Sequence, residues 1–150
     1  MQKLLTLSEI KVSYHPMLSY NPHVLLSIDA YAIFKDFFPD ESIALQERFV
    51  VMYLNRGSRV LGIYPISVGG ITGTVADIRL ILSVALKTAA SSIMLAHNHP
   101  SGSLKPSATD IDLTKKVKEA AKLMDISVLD HIILSPLEGE YYSFANEGLI

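Results

Sequence analysis

The sequence predicts a single α/β domain in which helices pack on one mixed β-sheet. Three observations predict it. The chain has 150 residues and is 49% hydrophobic, enough for one buried apolar core. Short runs rich in β-branched and aromatic residues alternate with segments whose apolar residues recur at helical spacing. Clusters of Pro, Gly, Asn and Asp separate these runs, with no internal repeat and no low-complexity segment.

Taken in order, residues 1–27 are the least regular, interrupted by Pro16 and Pro22, and read as an edge strand followed by a loop. Residues 1–24 are set apart as an irregular N-terminal segment, and 25–150 as the domain. Asp29 is placed to cap a helix over 30–38 that Pro39 ends, and a second short helix is expected over 40–46. Residues 47–54, ERFVVMYL, read as a strand buried on both faces. The turn Asn55-Arg56-Gly57-Ser58 leads to a returning strand over 59–67, and Gly69, Gly70 and Gly73 mark a flexible connection. Residues 77–90 carry Ile78, Ile81, Leu82, Ala85, Leu86 and Ala89 on a helical stripe. Residues 92–97 form a short apolar strand running into HNHPSG, where Pro100 and Gly102 force a loop. A helix over 108–124 follows, with Leu113, Val117, Ala120 and Met124 on one face, and strands at 126–134 and 140–144 close the domain.

Composition narrows the function. The net charge of −2 lacks the basic excess usual for proteins that live on phosphate backbones. Lys115, Lys116, Lys118 and Lys122 form the one dense basic cluster, read as a solvated helix face; charge neither supports nor excludes nucleic-acid binding. There is no cysteine, which removes disulfides, thiol nucleophiles and thiolate metal sites together. Any metal must be held by His, Asp and Glu. Glu9 and Lys11 break the apolar run a signal peptide would need, and no stretch is long enough to span a bilayer, so a cytoplasmic protein is expected.

The chemistry concentrates in one stretch. His97 and His99 stand two apart at a strand end, where residues i and i+2 share a side, so both imidazoles reach one ion while Asn98 points away. Asp110 follows in the first turn of the next helix, after a Pro-Gly loop able to fold back. Two nitrogens, one oxygen and an open position are the donor set of a catalytic zinc site. Ser107-x-x-Asp110 is also a capping-box pattern, and taken alone would be read as one. The paired histidines favour ligation for Asp110 and leave Ser107 free to cap.

His97-x-His99, seven residues, then Ser107-x-x-Asp110 resembles the JAMM motif of the JAB/MPN metalloproteases. The wider run LAHNHPSGSLKPSATD, with ERFVVMYLN upstream and VLDHIILS downstream, resembles the RadC branch of that superfamily over roughly residues 25–148. The resemblance implies a JAB/MPN fold related to the cytidine deaminases and one Zn2+ per chain on His97, His99 and Asp110. It implies that Glu47, otherwise an ordinary strand-end carboxylate, is the general base that later protonates a leaving amine. It also implies that Ser107 helps stabilise the oxyanion. The activity implied is hydrolysis of peptide or isopeptide bonds. Two further implications compete with it: a RadC-type accessory role in DNA repair or mobile-element biology, and a non-catalytic protein-binding scaffold.

Two features depart from the RadC pattern. Residues 1–46 lack the Gly-containing hairpin of a helix-hairpin-helix module, and TVADIRLILSVAL after Gly73 lacks the usual Pro-Arg-Glu signature. His131 is read as a satisfied structural histidine, with support of a metal ligand as its other reading. His15 and His23 are read as bystanders, and Ser101 and Gly102 as shaping the loop. The letters HNH do not make an HNH nuclease, and a zinc deaminase would need cysteines and a His-x-Glu element. A free strand edge at 59–67 or 1–14 would allow pairing with a second copy.

Overall fold

The computed structural model describes residues 6–17, 21–70 and 75–150. Eight elements follow one another: α1 (Ser27–Phe37), β1 (Arg48–Leu54), β2 (Val60–Val68), α2 (Ile78–Lys87), β3 (Ser92–Asn98), α3 (Ala108–Lys122), β4 (Ser127–Leu134) and β5 (Tyr141–Ser143). The strands form one mixed sheet in the order β2-β1-β3-β4-β5. β1 is antiparallel to both β2 and β3, β3 is parallel to β4, and β4 is antiparallel to β5. The expected α/β architecture is therefore present.

Strand alternation divides the core in two. Val50, Met52 and Leu54 of β1 join Met94 and Ala96 of β3, Ile132 and Leu134 of β4, and Ala30, Tyr31 and Phe34 of α1 in one cluster. The opposite faces of the same strands, Phe49, Val51 and Tyr53 with Ile93 and Leu95, pack on Ile81 and Ala85 of α2 and Val117 and Ala121 of α3. β1 is buried on both sides, as its unbroken apolar run predicts.

The parallel β3–β4 pair fixes where the site lies. Parallel neighbours need a crossover, here α3, so the chain must turn at the C-terminal end of β3 and enter the helix there. The HNHPSG loop makes that turn. Gly102 takes φ +85°, a left-handed conformation that favours glycine, and its N–H donates to the His99 carbonyl at 2.9 Å.

Three local expectations are corrected. Residues 40–46 are successive turns rather than a helix: Pro39 O accepts from Ser42 and Ile43 N–H, then Ser42 O from Leu45 and Gln46 N–H. So short a run does not sustain a helix, and the Ile43 and Gln46 carbonyls bond the Asn98 side chain instead. Asp29 is not the N-cap of α1, which begins earlier. It lies at the third helical position, where Oδ2 accepts from the Leu25 and Leu26 N–H groups at 3.0 and 2.9 Å. No strand occurs among the described residues of the N-terminal segment. His23 makes an isolated bridge to Arg59, and Tyr14 donates its hydroxyl to the Leu61 carbonyl. Residues 1–5 and Gly73 lie outside the described residues.

Candidate metal centre

Glu47, His97, His99 and Asp110 meet at the C-terminal end of β3. One ligand atom from each lies within 4.8 Å of all the others, and they form the one such group among the described residues. β1 and β3 bring in the first two. Phe49 faces His97 across the antiparallel pair, and Glu47, two residues before Phe49, projects from that same sheet face. The loop carries His99, and the first turn of α3 carries Asp110.

The donor groups approach one another closely, Asp110 facing each histidine through a different oxygen. His97 Nε2 and His99 Nε2 are 3.0 Å apart, His99 Nε2 and Asp110 Oδ2 3.2 Å, and His97 Nε2 and Asp110 Oδ1 3.4 Å. Glu47 Oε1 stands further off, 3.7 Å from His97 Nε2.

Donor chemistry agrees with the spacing. His99 Nδ1 is 2.7 Å from the Ser103 carbonyl, which can only accept. One ring proton is therefore on Nδ1, and Nε2 is the atom turned to the cluster. The Asp110 carboxylate raises the pKa of His99 against the effect of burial, with the Ser103 carbonyl adding to the rise. Burial pushes the Asp110 carboxyl up, but the His97 and His99 rings that face it outweigh this and hold the group well below the usual carboxylate range. Asp110 is thus ionised, and two imidazoles face a fixed negative charge. An N, N, O set with no sulfur suits a divalent ion such as zinc.

Asp110 serves the helix as well. The Ser107 hydroxyl accepts from Asp110 N–H at 3.0 Å while Asp110 Oδ2 accepts from Ser107 N–H at 2.8 Å, a complete capping box. The same Oδ2 faces His99, so one carboxylate both caps the helix and belongs to the cluster. Ser107 is exposed beside it, and its hydroxyl proton is uncommitted to the cap.

Asn98 is the residue the sequence reading passed over. It points to the opposite face, as expected, but it is fully buried and grips the segment bearing Glu47. Its amide donates to the Ile43 and Gln46 carbonyls at 2.7 and 2.9 Å, and its Oδ1 accepts from Arg48 N–H at 2.8 Å. The Glu47 carbonyl in turn accepts from Gly69 N–H at 2.8 Å. The backbone on both sides of Glu47 is therefore fixed to β3 and β2. The signal available in the sequence was an amide between two candidate ligands at a strand end.

His131 lies behind His97 on β4, fully buried, with Nε2 2.7 Å from His97 Nδ1. Burial, then the adjacent His97 ring, pushes its pKa well below the usual histidine value. His15 and His23 are exposed and outside the cluster.

Residues 26–149 match the RadC-like JAB domain. The chain belongs to that family. Its relatives include UPF0758 proteins of Flavobacterium johnsoniae, 44% identical over 69% of this chain, and of Porphyromonas gingivalis, 45% identical over 70%. Another, from Thermosynechococcus vestitus, is 48% identical over 65%. The matched stretches cover 44%, 46% and 38% of those proteins, so the chain spans under half the length of the relatives it matches.

Proposed function

We propose that this RadC-like JAB domain is a zinc-dependent hydrolase of peptide or isopeptide amides, with His97, His99 and Asp110 holding the ion. One observation carries the reading: two imidazole nitrogens and a carboxylate converge with Glu47 at the C-terminal end of β3, one ligand atom from each within 4.8 Å of the others. A bound zinc ion supplies Lewis-acid polarisation of a carbonyl and lowers the pKa of coordinated water to about 7. The remaining work falls to the chain. Glu47, held by the Asn98 and Gly69 contacts to its neighbouring backbone, accepts the proton of the attacking water and returns it to the leaving amine. The Ser107 hydroxyl donates to the oxygen on which negative charge develops.

Metal analysis of the purified protein beside a His97→Ala variant tests the centre. One equivalent of zinc in the parent and a substoichiometric amount in the variant is the expected result; a parent without zinc ends the proposal. Glu47→Ala separates binding from catalysis. It is expected to keep its zinc and to lose about 10²–10⁴ in turnover of amide or isopeptide substrates. Unchanged turnover would remove Glu47 from its role.

A further inference from the structure

We propose that Thr114 and His131 form a buried hydrogen-bond relay that fixes the tautomer of His97 and thereby aims its Nε2 lone pair into the metal centre. The inference rests on the zinc reading for its purpose, though not for its geometry. Neither residue belongs to the His-x-His…Ser-x-x-Asp pattern.

The proton positions follow step by step from the one group that cannot donate. The Asp110 backbone carbonyl lies 2.7 Å from Thr114 Oγ1, and a carbonyl only accepts, so the single hydroxyl proton of Thr114 points at it. Thr114 Oγ1 also lies 2.6 Å from His131 Nδ1. With its proton committed, the hydroxyl must accept there, so Nδ1 of His131 is protonated. His131 has no exposure to solvent, and a second ring proton would bury a charge. Nε2 of His131 is then an acceptor, and at 2.7 Å it accepts a hydrogen bond from His97 Nδ1–H. His97 is left with an unprotonated Nε2, the atom that faces His99, Asp110 and Glu47.

Packing holds the rings in these orientations. Phe144 stacks on His131 with centroids 4.6 Å apart, and Phe49 meets the same ring edge-on at 5.6 Å. The relay also closes a loop in the fold. It starts at the Asp110 carbonyl in α3, passes through His131 of β4 and ends at His97 of β3. The residue whose carboxylate faces the centre thus also anchors the far end of the chain that orients the opposing histidine.

Thr114→Val keeps the shape and removes the hydroxyl, while Thr114→Ser keeps the hydroxyl. Zinc affinity measured by competition with a chromophoric chelator is expected to fall about 10–100-fold in Thr114→Val, the usual loss when a group supporting a ligand is removed. Thr114→Ser is expected to stay within about threefold of the parent, the hydroxyl being retained. Long-range proton–nitrogen NMR of the imidazoles in zinc-free protein gives an independent readout. His131 is expected as the Nδ1–H tautomer in the parent and in Thr114→Ser. In Thr114→Val, with no acceptor at Nδ1, that signature is expected to be lost. A parent His131 protonated on Nε2 overturns the relay, as does a Thr114→Val protein with parental affinity and parental tautomer. A parent that takes no zinc would defeat the hydrolase reading, while the tautomer measurement still decides the relay. If Thr114→Val does not fold, the parent tautomer and the affinity of Thr114→Ser settle it.

Discussion

Ser107 caps α3 in the structure and donates a hydrogen bond in the proposed reaction, two roles that fall to different atoms. Its oxygen lone pair caps α3 by accepting from Asp110 N–H, while its proton remains available to a substrate oxygen. The two roles separate by substitution. Ser107→Ala loses both and is expected to cost about 1 kcal/mol of stability, the ordinary value of an N-cap. Ser107→Asp restores a capping oxygen without a donor proton, so its melting temperature is expected near the parent's, with turnover still reduced as in the alanine variant. Turnover recovering together with stability would leave Ser107 a cap and nothing more. At this scale the motif was legible because residue type and spacing alone imply which donors can meet. Thr114 and Asn98 were not, because their partners lie 17 to 55 residues away and depend on sheet register.

The elements were legible wherever hydrophobic periodicity was strong. β1 and α2 announce themselves by an unbroken apolar run and an apolar stripe. The failures at 40–46 and Asp29 share a cause: short segments whose backbone groups are claimed by distant side chains or by a helix that starts earlier. The tie between β1 and β3 is correspondingly strong. Asn98→Ala strips partners from the Ile43 and Gln46 carbonyls and the Arg48 N–H. Unpaired buried groups cost about 1–3 kcal/mol each and are not additive, so urea denaturation is expected to show a loss of roughly 3 kcal/mol. Tyr53 links β1 to α2 by donating its hydroxyl to the Ile81 carbonyl at 2.9 Å. Burial, then the charge of Tyr64, pushes its phenol up above the usual range. A group whose pKa rises on folding contributes stability that is whole below its unfolded value and lost as pH climbs towards the folded one. The parent is therefore expected to lose stability above about pH 10 more steeply than Tyr53→Phe, by denaturation at matched pH values. Parallel curves would remove Tyr53 from the alkaline transition.

At the scale of the whole molecule, the fold places its centre at a seam without relying on it. The two apolar clusters lie on opposite faces of the sheet, and neither includes Glu47, His97, His99 or Asp110. Small zinc domains that lack such cores unfold when the ion is removed, because metal binding supplies their folding energy. Here the cores exist independently, so chelation is expected to leave the far-UV circular dichroism intact and only to lower the melting temperature. Ligand linkage sets the size of the change: free zinc at 100 times its dissociation constant adds about 2.7 kcal/mol. For a chain of this length that corresponds to a rise of roughly 5–10 °C over the chelated protein. His97→Ala should show little of that rise, since it removes one of three donors while leaving both clusters packed. An equal rise in parent and variant would place the ion elsewhere on the molecule. Loss of circular dichroism on chelation would mean that the sheet owes its order to the metal after all.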